Sequence, residues 1–149
     1  MTTLNGRAQH TVILGVAASD AHAVANHLIA HLLRTQGYRV INLGTCTPVS
    51  EFAATAAEHP EALAVIIGSL NGHVHEDLRD LRAAKDAGLI TCPVIVGGNL
   101  SVGSRKDSAD VVRLYGLGVD YVPASVTALP ALLVQIEARR QASMKQRAS

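Results

Sequence analysis

The stretch Thr11-Val12-Ile13-Leu14-Gly15-Val16-Ala17-Ala18-Ser19-Asp20-Ala21-His22-Ala23-Val24-Ala25-Asn26 decides how the chain is read. It opens on an unbroken apolar run, Thr11 to Ala17, of the kind found in a strand buried on both faces. Past the polar Ser19 and Asp20, apolar residues recur at helical spacing, as Val24, Leu28, Ile29, Leu32 and Leu33, until Gly37 gives a natural stop. A carboxylate, Asp20, and an imidazole, His22, therefore stand on the turn between a first strand and a first helix. In an open α/β sheet that turn lies at the carboxyl end of the strands, where ligands bind. An imidazole there can hold a metal, and a carboxylate beside it can take the ring's other N–H and fix the tautomer. From position alone His22 is equally a helix-start histidine without a ligand, and Asp20 equally a helix cap.

The same alternation continues outward. Tyr38 to Leu43 reads as strand two, and Thr47-Pro48 as a helix start, with Thr as cap and Pro at the first position. Helix two runs to about 58 and buries Val49, Phe52 and Ala56. Ala62 to Gly68 is strand three. Helix three covers about 74–87 with Leu78, Leu81 and Ala84 inward, and Gly88 ends it. Pro93 to Val96 is strand four, a helix at about 107–115 carries Val111, Val112 and Leu114, and Val119 to Val122 is strand five. The last helix, about 127–141, uses Leu129, Leu132, Leu133 and Ile136. Residues 1–10 read as a flexible N-terminus, 11–141 as one domain and 142–149 as a disordered polar tail. Strict alternation with short connections predicts a doubly wound five-stranded parallel sheet, flavodoxin-like (Rossmann-like), in order 2-1-3-4-5 with helices on both faces.

Composition narrows the function. The 149 residues suit one domain; 48% are hydrophobic and only 3% aromatic, so its core is aliphatic. The formal net charge is +1 with no basic block before the tail, which gives no support to nucleic-acid binding. No apolar run approaches about 20 residues and no signal core opens the chain, so the expectation is a cytoplasmic protein without a membrane segment. Cys46 and Cys92 lack metal-type spacing and read as buried thiols in a reducing compartment. His27 and His31, four apart on helix one, read as a solvated face, and His73 and His75 as a surface loop end.

The loops after the strands are rich in small residues: Ser19 to Ala23, Gly68-Ser69-Leu70-Asn71-Gly72, Gly97-Gly98-Asn99-Leu100-Ser101-Val102-Gly103 and Pro123-Ala124-Ser125. Around one crevice they leave space for a large ligand to approach the backbone. Neither the Lys-Ser/Thr of a phosphate-binding loop nor a dinucleotide G-x-G-x-x-G follows strand one.

Asp20, His22 and Ala25, then Gly68-Ser69-Leu70, then Gly97-Gly98 stand where B12-binding domains carry D-x-H-x-x-G, S-x-L and G-G. Over about residues 11–138 the chain resembles that family, and within it the small cobalamin-binding subunits of glutamate mutase (methylaspartate mutase). The resemblance implies that His22 ligates the cobalt of adenosylcobalamin in place of the cofactor's own dimethylbenzimidazole, with Asp20 on the ring's other nitrogen. The displaced nucleotide tail would run along helix one, past Ser19, Ala21, Ala23 and Ala25, then Gly68, Ser69 and Leu70, Gly97 to Gly103, Pro123 and Ser125. Homolysis of the cobalt–carbon bond would start radical chemistry. The resemblance further implies an isomerase active only with a large TIM-barrel subunit, in a heterotetramer of two small and two large subunits. The barrel holds the amino-acid substrate, L-glutamate or a modified glutamate, which is interconverted with a 3-methylaspartate-type product. No catalytic residue beyond the cobalt ligand is expected in this chain.

Two positions depart from the motif: Ala25 replaces its Gly and Gly68 its first Ser. The alternatives are a corrinoid carrier for methyl transfer, which usually has a helical bundle before the domain, and a B12-sensing module. A phosphoacceptor receiver fits poorly, because strand three ends on Gly68 rather than an acid.

Overall fold

A computed structural model describes residues 10–18, 22–69, 73–97 and 108–148. Four parallel strands, β1 (Thr11–Val16), β2 (Arg39–Asn42), β3 (Ala64–Gly68) and β4 (Val94–Gly97), lie in the order β2-β1-β3-β4. The helices are α1 (Ala23–Thr35), α2 (Val49–Glu58), α3 (Val74–Asp77), α4 (Leu81–Asp86), α5 (Ser108–Leu117) and α6 (Leu129–Ala148), the last preceded by a 3₁₀ turn over Val126–Ala128. Strand–helix alternation with crossovers places helices on both faces, as expected for parallel strands.

Each face has its own aliphatic core. Ile13, Val65, Ile67, Val94 and Val96 point toward α2, α3, α4 and α5, meeting Phe52, Leu78, Leu81 and Leu114. Val12, Leu14, Ala64, Ile66 and Ile95 point toward α1 and α6, meeting Ala30, Leu33, Leu133 and Ile136. This period-two division of each strand is why the runs are apolar throughout. Gly15 is required by the first core: a Cβ there would lie 2.7 Å from Phe52 Cζ and 2.8 Å from Cε1. At the amino end of the sheet, the buried Glu137 of α6 accepts from the Tyr38 hydroxyl at 3.0 Å and pairs with His10 Nε2 at 3.0 Å, fastening α6 to β1 and β2.

The expected fifth strand is corrected to a single parallel bridge, Ile95 to Tyr121, beside β4 where that strand was placed. Two features stop the ladder. The Val94 N–H donates to Asp120 Oδ2 at 2.8 Å rather than to a strand carbonyl. Pro123 has no N–H with which to continue. Lys85 Nζ fixes the segment further, donating to Gly118 O at 2.7 Å and pairing with Asp120 Oδ2 at 2.6 Å.

Other expectations shift locally. Val24 and Leu28 are 74% and 65% exposed; the buried residues of α1 are the expected Leu33 together with Asn26 and Ala30, and Ile29 and Leu32 pack against this core. Val112 is likewise exposed. Helix three is two short helices with a turn at 78–80, its inward residues as expected. Pro48 takes the cap position of α2, while Thr47 Oγ1 donates back to Gly44 O at 3.1 Å. Cys46 is exposed on a left-handed turn (φ 53°), so only Cys92 is even partly buried. α6 runs to Ala148, and its stretch 142–148 contains no Gly or Pro to end a helix. Among the described residues no helix is long and apolar enough to cross a membrane.

Candidate functional site

A groove of about 370 Å³ runs between α1 and the segment 123–129, over the carboxyl ends of β1, β3 and β4. Its floor follows from register. Leu14, Ile66 and Ile95 pair across three strands, and the next outward row on that face is Val16, Gly68 and Gly97. The last two glycines leave bare backbone: among the described residues a Cβ on Gly97 would meet nothing within 4 Å, and one on Gly68 only Gly15 O at 3.9 Å. Ala25, Leu28 and Ile29 form the α1 wall, and Pro123, Ala124, Val126 and Leu129 the opposite one.

Backbone hydrogen bonds past the strand ends hold this floor. Ala17 N donates to Gly68 O at 2.9 Å, Ser69 N to Gly97 O at 3.0 Å, and Val96 N to Tyr121 O at 3.0 Å. The last bond also positions Pro123 and Ser125, and Arg139 supports it by donating to the Tyr121 hydroxyl.

Four polar side chains, His22, Asn26, Ser69 and Ser125, interrupt the apolar lining. His22 is exposed, on extended backbone just ahead of α1, and lines the groove. The N-cap position of α1 thus falls on His22 rather than on Asp20. Ser69 is fully buried, and its Oγ has no hydrogen-bond partner among the described residues. Asn26 is 4% exposed; its Nδ2 donates to Asn42 Oδ1 at 2.8 Å, and its Oδ1 has no partner among the described residues.

Of the residues singled out from sequence, His22, Ala25, Gly68, Ser69, Gly97, Pro123 and Ser125 come together here. Ala23 is half-buried at the start of α1 and does not line the groove. Ser19, Asp20, Ala21, Leu70 and Gly98, Asn99, Leu100, Ser101, Val102 and Gly103 lie outside the described residues. Ala25 sits inside a regular helix with no positive φ, so its methyl group changes the shape of the wall without backbone strain. Ser69 keeps a hydroxyl at the strand end where Gly68 has none. His27 and His31 are exposed, as expected. The sequence reading missed Asn26, whose signal was a polar residue on a helix's inward face, and the floor residues Leu14, Ile66 and Ile95, visible only once register is known.

Fold and groove define a doubly wound α/β domain whose ligand crevice is long, mostly apolar and open beside a histidine. The family model of the B12 binding domain matches residues 10–133. The glutamate mutase sigma subunit of Halobacterium salinarum is 40% identical over 123 residues, 83% of this chain and 82% of that protein. The glutamate mutase sigma subunit of Clostridium tetani is 36% identical over 118 residues, 78% of this chain and 85% of that one. Among solved structures, a cobalamin-binding protein from Desulfitobacterium hafniense superposes with a TM-score of 0.64 at 17% identity, covering 89% of this chain and 58% of that chain. The methanol:cobalamin methyltransferase complex MtaBC from Methanosarcina barkeri gives 0.62 at 23% identity, over 83% and 46%. These two likenesses concern the fold. The chain belongs to the B12-binding domain family, among its glutamate mutase sigma subunits.

Proposed function

We propose that this chain is the cobalamin-binding small subunit of a glutamate mutase, an isomerase working on L-glutamate or a modified glutamate. The observation that carries the reading is the groove itself: it has a glycine floor, a buried Ser69 hydroxyl unmatched among the described residues, and His22 on its lining. That combination fits a flat corrinoid nucleotide tail lying against bare backbone, with one imidazole offered to a metal that brings its remaining ligands in a macrocycle.

In this reading His22 holds cobalt and Asp20 orients its ring. Gly68 and Gly97 accept the tail's flat base, and Ser69 meets a polar atom on it. Ser19, Ala21, Ala23, Leu70 and Gly98 to Gly103 complete the cofactor site on the strength of the family motifs, and Pro123 and Ser125 close its far wall. Bound adenosylcobalamin supplies homolysis of a cobalt–carbon bond, which starts a radical rearrangement. This chain's residues orient the cofactor and shield its tail from water. The substrate is held by a TIM-barrel partner in a heterotetramer in the cytoplasm. Exposed Val24 and Leu28 beside the groove support a partner surface there.

Reconstitution tests the whole. With adenosylcobalamin and the large subunit of such a mutase, the chain is expected to convert L-glutamate to 3-methylaspartate, and neither subunit alone to do so. Cofactor binding without turnover on any glutamate-type substrate would leave a corrinoid binder and overturn the mutase assignment.

A further inference from the structure

We propose that Asn26 is a binding residue of the groove whose side-chain oxygen accepts a hydrogen bond from a ribose hydroxyl of the corrinoid's nucleotide tail; this rests on the corrinoid reading above. Gly44 N, a backbone group that can only donate, lies 3.0 Å from Asn42 Oδ1 and identifies that atom as the oxygen. The Asn26 atom 2.8 Å from the same oxygen is then its nitrogen. A backbone donor thus sets the orientation of both amides, and the atom of Asn26 left over is Oδ1.

That oxygen is buried and without a partner among the described residues. Buried amide oxygens are rarely left unmatched. Asn26 lines the groove together with His22, four residues earlier, which puts it on the same face of α1 about 6 Å further along the axis. A ligand anchored at His22 and lying along α1 passes Asn26.

An amide oxygen only accepts, so Asn26 selects for a donor. Dimethylbenzimidazole carries no N–H, and a phosphodiester carries no donor. The free ribose hydroxyls between them do. Ser69 across the floor can donate or accept and therefore does not choose.

The test is a spectrophotometric titration of the full chain, wild type and Asn26→Leu, with three probes: cobalamin, cobinamide, which lacks the nucleotide, and a cobalamin whose free ribose hydroxyls are replaced by hydrogen. Wild type is expected to bind cobalamin about 5- to 10-fold more tightly than the deoxy analogue, the size of one net hydrogen bond. Asn26→Leu is expected to lose that preference while binding cobinamide and the deoxy analogue as wild type does. Equal wild-type affinity for cobalamin and its deoxy analogue overturns the proposal even if the variant does not fold. So does a variant that weakens all three probes alike. Failure of wild type to bind any corrinoid overturns the corrinoid reading itself and this inference with it.

Discussion

Replacing Gly97 with Val is expected to move stability and ligand affinity in opposite directions. Gly97 ends β4, pairs with Gly68 and belongs to the groove floor. Among the described residues a Cβ there meets nothing within 4 Å, and the backbone has no positive φ. Neither the described neighbours of its Cβ nor the backbone conformation therefore opposes valine. A strand position changed from Gly to a β-branched residue gains up to about 1 kcal/mol, because the unfolded chain loses freedom and the side chain suits a pleated surface. The same methyl groups fill space on the bare floor. Forcing added carbons against a seated ligand costs about 1–3 kcal/mol, or roughly 5- to 150-fold in affinity. The assay pairs urea unfolding of the ligand-free chain with a cobalamin titration followed by absorbance. A variant at least as stable as wild type but more weakly binding is the expected outcome. Undiminished affinity in a stable variant would show that the ligand does not rest on the glycine floor, and would refute the reasoning.

Three further expectations follow from particular contacts. Gly15→Ala places a carbon 2.7 Å from the ring of the buried Phe52 and should cost about 1–3 kcal/mol in urea unfolding, with Phe52→Leu recovering part of it. Gly68→Ser has room for its Cβ, 3.9 Å from the nearest described atom, and restores the motif's hydroxyl beside Ser69, but its carbon stands on the same floor; in a cobalamin titration affinity should fall less than for Gly97→Val, one hydrogen bond worth about 5-fold offsetting the lost space. Burial pushes the Cys92 thiol above its ordinary value of 9.0. The folded chain then keeps this proton to higher pH than the unfolded chain does. Stability from this group is fully present below pH 9.0 and falls as pH rises above it, and Cys92→Ala should flatten that part of an unfolding-versus-pH curve.

What the sequence disclosed follows from how local each cause is. The run Thr11 to Ala17 announces a buried strand because its residues from Val12 onward are apolar on both faces, and the carboxyl ends of β1, β3 and β4 could be placed at one crevice from alternation alone. The edge beside β4 was over-read. Val119-Asp120-Tyr121-Val122 has strand composition, but the Asp120 carboxylate occupies the Val94 N–H and Pro123 cannot donate, leaving one bridge. Helix one was legible in extent but not in orientation. Val24 and Leu28 obey helical spacing yet lie outside the core, with Leu28 on the groove, while Asn26 turns inward. That inward amide is stabilised by Asn42, sixteen residues away on β2, and no local pattern encodes such a pairing. The D-x-H-x-x-G, S-x-L and G-G matches singled out His22, Gly68 and Gly97, which line one groove; the floor between them required the register of three strands.

The most direct test of cobalamin binding through His22 is electron paramagnetic resonance of the reduced cobalt(II) form bound to chain labelled with ¹⁵N-histidine. If His22 is the axial ligand, the nitrogen splitting changes from that of ¹⁴N to that of ¹⁵N on labelling, and His22→Ala abolishes the change. A splitting unaffected by the label, in a chain that nevertheless binds cobalamin, would mean that the cofactor keeps its own base and would contradict the assignment of His22.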